Sequence, residues 1–222
     1  NASARAYVQA IDRAWLGEAA LVCAASPTLA QAIVEATQVR ASPLSTPLPI
    51  VSKCEPARYD EYIVAAGPLA DTSRFPLLIE SFAKTRTSAR LVIMAFGQAR
   101  EEREYIEHVV ATRGKPKAIS LEFNASWDRV RDCVTGARAC VSLPFRASSA
   151  EMLCLTAGAC AKALVTMKDC GEVARLVDGD GCCVEPDDSA LAAAIDELCG
   201  SRKTAEHLGK REQIRAELPV EP

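Results

Sequence analysis

The residues best placed to do chemistry fall just past the middle of the chain. Arg146 stands before Ser148-Ser-Ala-Glu151, a run that reads as a helix start. A helix N-terminus exposes amide donors and carries partial positive charge, so Arg146 with that terminus is able to hold a phosphate. The same four residues also form a capping box, in which Ser148 and Glu151 satisfy the amides a phosphate would want. Both readings stand on the sequence alone. His108 and His207 lie in charged helical stretches and read as solvated surface groups rather than catalytic bases.

Several function classes drop out. Ten cysteines invite a metal or disulfide reading, but no Cys-x-x-Cys pair occurs and neither histidine lies near paired thiols. Zinc sites need such closely spaced ligands. Most of the thiols replace Ala or Val in apolar runs, where they behave as small hydrophobes, so free thiols in a reducing cytoplasm are expected. The vicinal Cys182-Cys183 sits in a strand whose alternate side chains face opposite ways. A net charge of −3 with no basic run argues against a nucleic-acid footprint. No apolar stretch approaches the ~20 residues of a membrane span, and no secretory signal is expected at the N-terminus. Neither Gly-x-Gly-x-x-Gly after the first strand nor a P-loop pattern is present, which removes a dehydrogenase. The opening Asn1-Ala2, without methionine, fits a piece of a longer protein.

The elements that must position any site follow from apolar periodicity. Residues 5–18 and 27–38 read as helices flanking a buried strand at 20–24. Pro43, Pro47, Pro49 and Pro56 then mark 39–58 as a linker, because neither helix nor sheet interior accepts them. Beyond it strands are expected at 62–66, 91–94, 118–122, 139–142, 163–166 and 182–184. Helices alternate with them: one opened by Pro76, one from Glu101 to Arg113, and one capped by Ser126. Another is capped by Asp187 or Asp188, and a last charged helix covers 202–216. Strands apolar throughout and alternating with helices imply a parallel sheet covered on both faces. The fold class is therefore α/β, a doubly wound Rossmann-like sheet of about six strands. Trp127, at a helix start, reads as packing against a strand, with a base or sugar as the alternative face. The small residues Ala157-Gly-Ala-Cys-Ala161 let their helix approach the sheet closely.

Residues 138–166 resemble the donor-binding core of nucleotide-sugar glycosyltransferases of the GT-B fold, family-4 type. Pro144 falls on the proline of that family's Pro-Ser-x-x-Glu motif, and Leu164-Val165 fall on its later Val-Val. The resemblance extends through Gly67-Pro-Leu69, Leu77-Leu-Ile-Glu-Ser-Phe-Ala83, Leu91 to Gly97, and Trp127-Asp-Arg-Val130. It closes at Asp178-Gly-Asp-Gly181 with Val184-Glu-Pro-Asp-Asp188. It implies that 1–38 end an N-terminal domain, that 39–58 link, and that 59–222 form the C-terminal donor-binding domain. The larger part of the N-terminal, acceptor-binding half is missing from the chain.

The resemblance also implies a donor site whose chemistry is altered. Gly67 and Gly97 allow close approach to a diphosphate. Pro68 and Ser73 stand where the family has its Arg and Lys, which leaves Arg74 or Arg146 to supply the charge. The motif's two glutamates fall on Ser148 and Thr156, the second able to make one contact to a ribose. In Gly171-Glu-Val-Ala-Arg-Leu-Val177 the family's Glu becomes Arg175, or Glu172 after a two-residue slip. The expected ligand is a UDP- or GDP-type sugar, transferred with retention and without metal or cofactor. Peripheral membrane contact stays open. Two further readings stand beside the enzyme: a catalytically inactive scaffold or partner of an active transferase, and an unrelated Rossmann-like binding domain.

Overall fold

The computed structural model describes residues 2–44, 58–145, 152–177 and 182–217. The chain opens with α1 (Ala2–Gly17), β1 (Cys23–Ala24), α2 (Pro27–Thr37) and β2 (Ser42–Pro43). β1 and β2 pair in parallel. The second half of that pair departs from the expected linker. Ser42 and Leu44 donate the cross-strand bonds, to Val22 and Ala24, so the missing N–H of Pro43 costs the ladder nothing.

A six-stranded sheet follows. Its strands are β3 (Tyr62–Pro68), β4 (Arg90–Phe96), β5 (Ile119–Phe123), β6 (Ala139–Val141), β7 (Leu164–Met167) and β8 (Cys183–Val184). All pairs are parallel and the order is β5-β4-β3-β6-β7-β8. Ile63, Val64 and Ala65 are buried in succession, as are Leu91 to Ala95, which a strand requires when helices cover both faces. The helices are α3 (Phe75–Lys84), α4 (Arg100–Arg113), α5 (Trp127–Gly136), α6 (Met152–Ala159), α7 (Glu172–Val177), α8 (Asp188–Gly200) and α9 (Arg202–Glu217). α3 packs against α4 and α8, and α6 against α5 and α9. The doubly wound α/β architecture is the one the alternation implies.

Local signals fixed the helix starts. Ser126 accepts from the Arg129 amide and Asp187 from the Ala190 amide, so of the two candidate aspartates Asp187 is the cap. α7 was not legible, since six residues are too few to display a period. The expected helix start at Ser148 lies outside the described residues. Eight described cysteines are free thiols, five of them fully inside the core. Cys160 departs from the expectation: it is disulfide-bonded.

The amino end of β7 carries an unusual load. Lys162 has no solvent exposure and, among the described residues, forms no salt bridge. Its Nζ donates to the carbonyls of Arg58 and Ala137 and stands 3.9 Å from the centroid of the Tyr59 ring. Tyr59 in turn donates its hydroxyl to the Ala161 carbonyl at 2.9 Å. Gly209 of α9 presses on the same peptide so closely that a Cβ there would stand 2.0 Å from the Ala161 oxygen. Together these contacts fasten the entry of the domain, at Arg58, to its last helix.

Burial pushes the Lys162 ammonium down to about 8 from 10.5. Between those values the unfolded chain holds a proton that the folded chain has shed, so this group makes stability rise with pH across that window. We expect urea unfolding at pH 7.5 and 9.5 to show a gain in the unaltered chain that Lys162→Met lacks. The difference should reach at most about 1.4 kcal/mol per pH unit. Equal pH slopes in the two proteins would contradict a depressed Lys162.

Candidate functional site

In a doubly wound sheet the strand order reverses at one place, and loops leaving there diverge and open a crevice at the carboxyl ends of the strands. Here the reversal lies between β3 and β6. Beside it is a cavity of about 500 Å³ lined by Gly67, Pro68, Phe96, Trp127, Met152, Leu153, Ala66 and Val130. That volume falls within the range that holds small ligands. Among the described residues the lining is almost wholly apolar, and it includes no Lys, Arg, Asp or Glu.

Each wall has a local cause. Gly67 is the penultimate residue of β3, where a Cβ would stand 3.1 Å from the Ser73 hydroxyl. Ser73 is buried and donates to the Pro68 carbonyl at 2.7 Å, pinning the turn after β3. Gly97 follows β4, and a Cβ there would meet Leu69 at 2.9 Å. Its N–H donates to Asn124 Oδ1 and its carbonyl accepts from Asn124 Nδ2, both at 3.0 Å. Asn124 reaches this position from a left-handed backbone, φ 53°, a conformation asparagine tolerates. The loops after β4 and β5 are thus clasped together by one side chain. Trp127, 38% exposed at the first turn of α5, presents its ring on the cavity. The ring thus borders open space at the cavity. Its place just after the cap of a helix that follows a strand was the signal.

Arg74 sits on the other side of the reversal. It has φ 50° and leads into α3. Its guanidinium lies 4.6 Å from the centroid of Phe145 and donates to both oxygens of Asp169, at 2.9 and 2.6 Å. The hydrogen bonds to Asp169 hold its guanidinium above its usual range.

Of the remaining expected site residues, the two that are described do not line the cavity. Thr156 is buried and donates to the Met152 carbonyl one turn back, so its hydroxyl is engaged within α6. Glu172 is 3% exposed, accepts from Thr28 of α2 at 2.6 Å and pairs with Arg175. It joins the opening segment to the sheet domain. Arg146, Ser148 and Glu151 lie outside the described residues. His108 and His207 are exposed, and among the described residues no cluster of His, Cys, Asp and Glu is arranged to hold a metal.

These features define a doubly wound α/β domain with a ligand-sized, aromatic cavity where its strand order reverses. The chain belongs to the family of glycosyl transferases group 1, whose model matches residues 60–201. No curated protein sequence matches it. Among solved structures, the fold of sucrose-phosphate synthase from Thermosynechococcus elongatus is similar, with a TM-score of 0.78 at 18% identity over 94% of this chain and 56% of that one. HepE from Anabaena, solved with UDP and glucose, gives 0.75 at 13% identity over 94% and 62%. A TarM variant from S. aureus, in a complex that includes UDP, gives 0.76 at 13% identity over 88% and 40%. The chain therefore spans less than two thirds of the length of these proteins and shares the GT-B fold.

The Asn124 clasp gives a direct test of how the cavity wall is built. Asn124→Gly keeps the left-handed backbone but removes both bonds to Gly97. It should lower the stability measured by denaturant unfolding by about 1 kcal/mol. An unchanged midpoint would mean that the loops are held by other contacts.

Proposed function

We propose that this chain is the donor-binding half of a nucleotide-sugar glycosyltransferase and that its ligand is a UDP- or GDP-type sugar. The observation that carries this reading is the cavity at the strand reversal, whose Trp127 and Phe96 offer flat apolar surfaces to a nucleobase. A base seated there directs its phosphates toward the loop after β3, where Gly67 has no side chain in the way. As the glycosidic bond breaks, negative charge grows on the departing diphosphate and needs fixed positive charge nearby. Arg74 is a described cation on this rim, and Arg146 is the second candidate in the sequence. The reading requires no metal or cofactor.

Transfer needs an acceptor, which this reading assigns to a domain outside the 222 residues. α1 supports it. Tyr7, Val8, Ile11 and Trp15 are all exposed, at 70, 53, 40 and 78%, and three of them recur every fourth residue on one face. A parallel pair as short as β1 and β2 is also a fragment of sheet rather than a sheet. Residues 1–38 then belong to the N-terminal half, and 59–222 to the donor-binding half, with the linker between them.

The inactive-scaffold reading also has an observation behind it: Arg74 is already engaged by Asp169. A cytoplasmic location agrees with the eight free thiols, while the bonded Cys160 argues the other way. Among the described residues no helix is long and apolar enough to cross a membrane.

The chain has two tryptophans, so Trp15→Phe leaves Trp127 as the sole reporter. Titration of that protein with UDP and with GDP should quench its fluorescence saturably with at least one of them. Trp127→Ala, followed by calorimetry, should weaken that nucleotide about tenfold, as loss of one stacking contact does. No response to either nucleotide would favour the scaffold.

A further inference from the structure

The loop after β3 leads away from the cavity, and its donors closest to the strand are turned inward. The Leu69 N–H donates to the Phe96 carbonyl at 2.7 Å, and the Ala70 N–H to the Pro68 carbonyl at 2.9 Å. A single turn of 3₁₀ helix follows at Asp71–Ser73. Across it the Ser73 N–H donates to the Ala70 carbonyl at 3.0 Å and the Arg74 N–H to the Asp71 carbonyl at 3.2 Å. The Ser73 hydroxyl is engaged as well, on the Pro68 carbonyl at 2.7 Å. On the neighbouring loop the Gly97 N–H is held by Asn124.

Pro68 stands where these bonds meet. It is the last residue of β3, it is exposed, and it lines the cavity. Its nitrogen carries no hydrogen, so it adds an apolar ring to the wall and no donor. Its carbonyl accepts from Ala70 and Ser73 together, which uses both lone pairs and folds the loop back on the strand end. A phosphate site is built the other way, with N–H groups left free to converge on the anion. Drawing these donors toward a phosphate would break bonds already made inside the loop, so the exchange gains little. The other end of the cavity differs. Trp127 and Met152, 38 and 39% exposed, offer apolar surface to a base with nothing to be displaced first.

We propose that this site takes its ligand by the nucleoside end: the base supplies the affinity, the diphosphate adds little, and Pro68 sets that balance. This rests on the reading of the cavity as a nucleotide site. Phosphates of a seated nucleotide then lie over the loop after β3 without being gripped by it. Pro68 is a specificity-determining residue in this sense, since a longer side chain there reaches solvent at the cavity wall instead of the core. A cation at position 68 would turn the site into one that reads the diphosphate.

Calorimetric titration with uridine, UDP, guanosine and GDP tests it, using the unaltered chain, Pro68→Gln and Pro68→Arg. In the unaltered chain the preferred diphosphate should bind within about threefold of its nucleoside. Pro68→Arg should bind that diphosphate about tenfold more tightly than the nucleoside, as a charged hydrogen bond provides, while Pro68→Gln keeps the two equal. Pro68→Lys replaces the arginine variant if the latter loses cooperative unfolding. An unaltered chain that binds the diphosphate tenfold or more above its nucleoside overturns the proposal and leaves the nucleotide site standing. Equal binding in the unaltered chain with no gain from either cation overturns the role of Pro68. If no protein binds any of the four compounds, the nucleotide reading itself fails and the proposal goes with it.

Discussion

β3 pairs in parallel with β4 on one side and β6 on the other, and the rest of the molecule depends on that double pairing. A parallel strand must be left by a crossover, and crossovers in one sheet share a hand. Connections going toward β4 therefore cover one face, and those going toward β7 cover the other. The loops at the carboxyl end part over β3, and the chain can close that parting only with side chains. Gly67, Gly97, Arg74 and Phe145 all stand along it, and their types make sense only there.

Three described cations are held in three ways, and the differences follow from what surrounds each. Lys162 is enclosed, so carbonyl oxygens and the face of Tyr59 hold it, and burial lowers its pKa to about 8. Arg175 is half exposed but closes over Glu172, an acid sealed by its bond to α2. Arg74 is enclosed while its acid is partly open to water. The first two arrangements fasten segments of the chain. The third lies on the loop after β3, near the strand reversal. A neutral cavity at that reversal suits a ligand with a flat apolar end.

The fold was legible because burial on both faces writes β3, β4 and β6 as unbroken apolar runs, with helix caps such as Ser126 and Asp187 between the elements. β2 was hidden by Pro43, whose missing donor matters only if the ladder needs it. The site was legible in part. Gly67 and Gly97 stood out through the resemblance, but what they touch did not. Gly97 meets Asn124 from 27 residues away and Arg74 meets Asp169 from 95, distances that only the sheet order closes. Thr156 and Glu172 illustrate the converse. Their types suit a ribose, yet one spends its hydroxyl on its own helix and the other binds the opening segment. A side chain's chemistry can be read from the sequence, but its direction depends on packing.

A crystal structure of the chain grown with UDP or GDP tests the central claim most directly. The account predicts a base between Trp127 and Phe96 and phosphate oxygens at the loop after β3, within reach of the Arg74 guanidinium. A bound nucleotide elsewhere on the sheet, with the cavity empty, would contradict it.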